Sequence, residues 1–225
     1  IPTLFTEFSA SKLSSNLSLI NNNAILQFYY NNTISANLKN KVTGTLKFSH
    51  YNNLVNGNFT NEANSLISID GANYHSDVTF LNGFTNLGLI DLRSVTGYNS
   101  TLSVTNGELY NNNTGVIHAY EPYGMRYLNA QLNNKSDLSV DRDLIINKPG
   151  ADHKNVNGGD ITIAANATLD IQNATFNYNG GSITGAGFLQ FTTSNYILAL
   201  ANFPAVYHKF FTTNVSSALQ LNNAT

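Results

Sequence analysis

The chain has no cysteine, no tryptophan, one methionine and four prolines in 225 residues. Without cysteine there is no disulfide framework, no thiolate metal site and no cysteine nucleophile. Export is still compatible with this, because a chain that crosses an outer membrane unfolded cannot carry disulfides formed on the way. Charge is scarce as well: charged residues make up 11% of the chain, against roughly 25% in ordinary soluble domains. Eleven Lys and Arg oppose thirteen Asp and Glu, a net charge of -2, so there is no basic footprint for nucleic acid or an anionic membrane. No apolar run approaches the roughly 18 residues that span a bilayer, and no direct membrane insertion by this segment is expected.

What the chain does have is 42% hydrophobic residues, including 12 Tyr and 13 Phe, far too many for a solvated coil. It also has 37 Asn, with Ser, Thr and Gly behind them. The length suits one domain over 1–225, and no linker interrupts it. Ile1-Pro2 and Leu221 to Thr225 read as cut ends of a longer chain whose targeting signals lie elsewhere.

The asparagines carry a repeat. An apolar residue, then Asn within two positions, a turn and a short β-rich run recur. The phrase opens at Phe59-Thr60-Asn61, Phe84-Thr85-Asn86, Leu109-Tyr110-Asn111, Leu132-Asn133-Asn134 and Val156-Asn157-Gly158, with an earlier copy at Leu38-Lys39-Asn40. The starts at 59, 84, 109, 132 and 156 lie 25, 25, 23 and 24 residues apart, the spacing of a solenoid or repeat array. Between them, Ser65 to Ile69, Thr101 to Val104 and Asp160 to Ile163 alternate with period two, and no stretch sustains a helical period. Asn-Gly pairs punctuate these runs at 56–57, 82–83 and 106–107, where tight turns need the left-handed backbone region.

The prediction is an all-β fold, a right-handed parallel β-helix with coils of about 20–25 residues. Seven or eight coils give a rod near 35 Å long. The alternative is a β-sandwich, which short strands at 8–12-residue spacing also suit. In the solenoid, Asn has two uses: left-handed turns, and amide ladders between stacked coils. Residues 1–37 and 192–225 are less regular and are expected to be capping or continuing coils.

The segment from Asn173 to Phe191, with Gly180-Gly181-Ser182-Ile183-Thr184-Gly185, and the phrases Phe84 to Ile90 and Leu109 to Ile117 resemble bacterial surface β-solenoids. The style is that of autotransporter passengers and filamentous-haemagglutinin-like adhesins, and among them of the Asn-rich vacuolating-cytotoxin-like passengers. The resemblance spans 38–191 and is one of repeat style. It implies a segment of an exported protein, secreted or on the bacterial cell surface, that makes non-catalytic contact with host or neighbouring cells. Its partner would be a host-cell receptor or a surface glycan. No functional residue carries over from those families.

Two other functions remain open from the residues: a carbohydrate-active β-helix enzyme, and the binding module of a secreted toxin. For the enzyme, Asp70, Glu121 and Asp143 fall at similar offsets within their coils, so they are expected to stack within the roughly 5–9.5 Å used by glycosidase carboxylate pairs. The stretch His118 to Tyr127 breaks the alternation and concentrates aromatic rings. Tyr120, Tyr123, Arg126 and Tyr127 are its candidate ligand-binding residues, on a protruding loop or packed down on the rod's flank. Asp137 to Asp160 is the densest polar segment and is expected to be an exposed loop with local charge pairing. It lacks the Gly/Asp repeats of a calcium site, and the five His lack zinc spacing, so no metal or cofactor is expected. The ten Asn-x-Ser/Thr triplets exceed only slightly the roughly seven that this composition produces by chance.

Overall fold

The structure is a computed structural model that describes residues 5–13, 20–199 and 204–217. It is a parallel β-solenoid, with no helix among the described residues. The chain winds past three faces in turn, and each strand pairs in parallel with its counterparts one coil before and after. A sandwich would need antiparallel layers, so that alternative is excluded.

On the first face the register runs Phe5, Ile25, Thr45, Leu66, Leu89, Val116, Asp137, Asp160, Ser182, in steps of 20, 20, 21, 23, 27, 21, 23 and 22 residues. Nine rungs at about 4.8 Å make a stack near 40 Å long. The count exceeds the expected seven or eight because the first-face ladder starts within the amino-terminal segment, at Phe5 and Ile25; on other faces the ladders also run into the carboxy-terminal segment. Strand Phe5–Phe8 pairs with Ile25–Phe28, and Asn195–Leu198 pairs with Asn214–Ser217. Near the ends the strands are short. In the middle, Ser76–Asn86, Ser100–Tyr120 and Arg126–Val140 run through the corners as single strands. Register shifts at the corners absorb the inserted residues.

Alternation explains the core. Along Thr45–Phe48, Leu46 and Phe48 are buried while Thr45 and Lys47 face outward. Identical positions then stack from coil to coil: Phe8, Phe28 and Phe48 lie ring on ring at 5.0 and 5.3 Å. Each apolar column removes side chains from water at about 25 cal/mol per Å².

Asparagine fills both expected roles. Asn31, Asn52, Asn64, Asn113, Asn166 and Asn173 take positive φ at turns, where the short amide tolerates the left-handed region. A different set forms a buried amide ladder. Asn22, Asn40, Asn61, Asn86, Asn111, Asn134 and Asn155 stand in one column, each Nδ2 donating to the Oδ1 of the next at 2.8 or 2.9 Å. The second amide hydrogen of Asn22, Asn40, Asn61, Asn86 and Asn111 goes to a backbone carbonyl, so their Nδ2 is fully used. Asn155 ends the column by donating to Gly159 O and Gly180 O, and the next rung carries Tyr178 in its place.

The fifth copy of the repeat is corrected. Its landmark is His153-Lys154-Asn155, not Val156-Asn157-Gly158, because Asn133 pairs with Lys154 and Asn134 with Asn155. The apolar first position is held there by a fully buried histidine, which hides the phrase from a search for hydrophobic residues. The polar segment 137–160 is likewise mostly strand: 137–140, Leu144–Asn147 and Asp152–Asn155 all join the ladders. Of its charged residues, Asp137, Asp152, Lys154 and Asp160 lie on strands and face outward, while Asp141, Arg142, Asp143 and Lys148 lie in the short connections between them.

Candidate functional site

The corner between the first and second faces departs most from the plain repeat. Its segments grow from 49–52 through 71–75 to 94–99, then shrink through 121–125 to 141–143. Each of five successive coils places a tyrosine there: Tyr30, Tyr51, Tyr74, Tyr98 and Tyr123, all exposed, Tyr123 at 58% and Tyr74 at 52%. The intervals of 21, 23, 24 and 25 residues follow the coil length. Four rung steps carry the row over about 19 Å. Histidines join it. The His50 ring lies 4.6 Å from Tyr74, Tyr74 lies 6.2 Å from Tyr98, and His75 meets Tyr98 edge-on at 5.3 Å. Tyr74 and Tyr98 therefore partly cover each other's faces and offer edges and hydroxyls to solvent. No aromatic neighbour covers Tyr51 or Tyr123 among the described residues.

The corner segments are sewn together. Ser94 Oγ donates to Gly71 O at 3.1 Å, Thr96 Oγ1 donates to Ala72 O, and the Met125 amide donates to Asn99 Oδ1 at 3.1 Å. Gly124 has φ +70, and a Cβ there would meet Tyr98 O at 2.1 Å. Only glycine lets the two coils approach this closely.

Beside the tyrosine row, the outer side of the first face carries a charged cluster. Lys47 pairs with Asp70 at 3.4 Å and Arg93 with Glu121 at 3.1 Å. His118 stands between Asp91 at 3.7 Å and Asp141 at 2.9 Å. Tyr120 stacks on His118 at 4.5 Å, and Arg93 sits 5.5 Å from the same ring. Asp70 and Asp91 are buried, their Oδ1 atoms accept no hydrogen bond, and Arg93 Nε donates none. Burial raises the Asp91 carboxyl above the usual carboxylate range, partly offset by His118 and Arg93. Beyond His118 the face continues as a shallow groove of about 460 Å³ lined by Val116, Asp137, Leu138, Ser139, Asp160, Thr162 and Ser182.

The residues singled out from the sequence are divided by the structure. Tyr120 and Tyr123 lie at this corner. Tyr127 lies on the second face, in register with Thr101 and Ile145. Arg126 is 1% exposed and points inward. Its Nη1 donates to Gly124 O at 2.6 Å, its Nε and Nη2 to Tyr120 O at 3.1 and 2.6 Å, and its Nη2 also to Glu121 O. It holds the 121–125 segment from beneath.

The three acids do not stand in one column. Asp70 is in register with Arg93 and Tyr120, Glu121 pairs with Arg93, and Asp143 Oδ1 accepts the Thr168 amide at 2.8 Å. The 27-residue coil between Leu89 and Val116 breaks the constant offset on which the stacking estimate relied.

Sequence reasoning missed Tyr30, Tyr51, Tyr74 and Tyr98 as partners of Tyr123, and missed Asp91, Arg93 and His118. The tyrosine signal was present, since those residues recur at the coil spacing. The charged cluster had no such signal, because the residue type changes from coil to coil along its columns, Lys47, Ser68, Asp91, His118 in one and Asp70, Arg93, Tyr120 in the next. Among the described residues no group of three or more His, Cys, Asp or Glu is placed to hold a metal ion.

No family profile matches the chain, and no curated protein matches its sequence. Among solved structures it is similar to a TibC-catalysed, hyper-glycosylated TibA fragment, at 10% identity and a TM-score of 0.26, over 95% of this chain and 100% of that one. So distant a likeness carries no weight for fold or function, and the assignment as a parallel β-solenoid rests on the chain's own strand register.

Proposed function

We propose that the chain is a rod-shaped, non-catalytic binding segment of an exported bacterial surface protein, in the manner of an adhesin. Its contact surface is the tyrosine corner, and its partner is a receptor or glycan on a host or neighbouring cell. The observation that carries this reading is the set of five exposed tyrosines at the same corner of five successive coils. Tyrosine gives large amphipathic contact area at small entropic cost, and a row of exposed aromatic residues along one edge marks a candidate interaction surface. A cysteine-free chain whose strands pair with those of the adjacent coils also suits folding after export, because each coil can add to the last.

The test is binding of the purified chain to cultured epithelial cells and to bacteria. Comparison is with a variant carrying Tyr51→Ala, Tyr74→Ala, Tyr98→Ala and Tyr123→Ala, checked for folding by circular dichroism. A loss of about tenfold or more is expected, as for removal of interface hot spots. Unchanged binding by the folded variant removes the reading.

One observation favours a second reading, a carbohydrate-active enzyme: the raised carboxyl of Asp91 beside Asp70 and His118. A carboxyl whose pKa is raised by burial is suited to act as a general acid. A reducing-end assay over a panel of polysaccharides decides it, with Asp91→Asn as the control.

A further inference from the structure

We infer that the tyrosine corner and the adjoining charged cluster bind an uncharged glycan chain, laid parallel to the rod axis. This rests on the reading of the corner as the contact surface and names the chemistry of what it contacts.

The first argument is periodicity. The same residue type recurs at one corner once per rung over five rungs, so the surface is a one-dimensional row of similar sites whose backbone advances about 4.8 Å per site, with the Tyr74 and Tyr98 rings 6.2 Å apart. A repeating polymer can engage such a row several times at once, whereas a folded protein partner presents an aperiodic surface. The gain is that of multivalency: each added unit binds at high effective concentration.

The second argument is the chemistry of the row. Tyr51 and Tyr123 keep faces free of aromatic neighbours, on which the C–H face of a sugar ring can stack. Tyr74 and Tyr98, partly covered by each other, offer hydroxyls that both donate and accept hydrogen bonds.

The third argument is charge. Asp70, Asp91, Glu121 and Asp141 outnumber Lys47 and Arg93 in the cluster, with His118 between two of the acids. An acidic polymer is repelled there, and Lys47 and Arg93 are each engaged by a carboxylate of the cluster. What it lacks is hydrogen-bond partners for Asp70 Oδ1, Asp91 Oδ1 and Arg93 Nε. Two acceptors and one donor without hydrogen bonds suit hydroxyl groups, which supply both roles without adding charge. These atoms are shielded from water, so a hydroxyl reaches them as the side chains of Lys47 and His118 shift. Those side chains are 35% and 25% exposed.

The test is calorimetric titration of the purified chain with uncharged oligosaccharides of one to eight units, from a β-glucan and from a mannan. A polygalacturonate series of equal lengths is the acidic counterpart. Affinity for one neutral series is expected to rise with length and level off near five units, the length of the row. The acidic series is expected to bind at least about tenfold more weakly. The paired change Tyr74→Ala with Tyr98→Ala is expected to weaken the neutral chain about tenfold and to flatten the length dependence. The His118 ring resonances are expected to move on titration.

Length-independent binding, preference for the acidic series, or no neutral binding overturns the inference. If neutral oligosaccharides fail while the four-tyrosine variant still loses cell binding, the contact surface stands and its ligand is not a glycan. If that variant binds cells normally, the contact-surface reading itself has failed.

Discussion

Asn86 Nδ2 donates to Asn111 Oδ1 at 2.8 Å across 25 residues of chain, with both side chains fully buried. Asn111 in turn donates to Asn134 Oδ1 at 2.8 Å and to Asp137 O at 3.0 Å. One side chain thus links three coils. Asn111→Leu leaves Asn134 Oδ1 and Asp137 O without these bonds. It is expected to cost about 2–4 kcal/mol, because buried polar groups left unpaired cost about 1–3 kcal/mol each. Asn111→Asp keeps the bond from Asn86 but loses both donated bonds and buries a charge, so it is expected to be worse. Urea unfolding of the two variants checks the order. A smaller loss for Asp than for Leu would show that the amide donors matter little.

Gly115 sits where the Asn111 turn returns to the first face. A Cβ there would lie 2.4 Å from Asn86 O and 2.5 Å from Asn111 Oδ1. Gly115→Ala is therefore expected to destabilise by about 2–3 kcal/mol through forced displacement of the ladder. Gly150→Ala meets no atom within 4 Å but has φ +75, so its cost is expected to be near 1 kcal/mol, from backbone strain alone. Thermal unfolding of the pair separates overpacking from strain.

His153 occupies an apolar column above Leu132 and below Phe176. Its Nδ1 accepts the Leu132 amide at 3.1 Å, and its Nε2 has no partner. Burial, helped by the Lys148 charge, lowers its pKa from 6.5 to about 4. The unfolded chain therefore binds a proton that the folded chain refuses between those two values. Stability from the neutral ring is complete above pH 6.5 and falls as the pH drops toward 4, by about 3 kcal/mol in all. His153→Phe is expected to remove that part of the acid sensitivity. Urea midpoints at pH 7, 5.5 and 4 check this, and parallel pH profiles for the two proteins would refute it.

Arg126 spends its donors on carbonyls of Tyr120, Glu121 and Gly124. Arg126→Met is expected to cost about 2–4 kcal/mol through carbonyls left unpaired and to abolish hydrogen-exchange protection over 121–125. Tyr123→Ala, at an exposed position, is expected to stay within about 0.5 kcal/mol. If Arg126→Met binds cells less well only in proportion to its unfolding, the residue is purely structural. A larger loss, in fully folded protein, means that it positions Tyr123.

The solenoid was legible because its physics is local and repeated. Asn40, Asn61, Asn86, Asn111 and Asn134 each follow an apolar residue by two positions, so hydrophobic phase and amide phase recur together. The copy at Asn155 was misread by three residues because His153 breaks the apolar half of the pattern. The tyrosine row was half legible: Tyr123 stood out in its irregular stretch, while Tyr30, Tyr51, Tyr74 and Tyr98 join it only once the chain is aligned by coil.

The amino-acid sequence by itself determined the strand period, the coil length, and the preference for amides over ions at stacked positions. Those follow from backbone geometry and from the repulsion between like charges one rung apart. Only the tertiary structure decided that Asp91 lies against His118, and Arg93 against Glu121 and Tyr120. The coils differ in length by up to seven residues on the first face, so offsets counted along the chain do not predict which side chains meet across rungs.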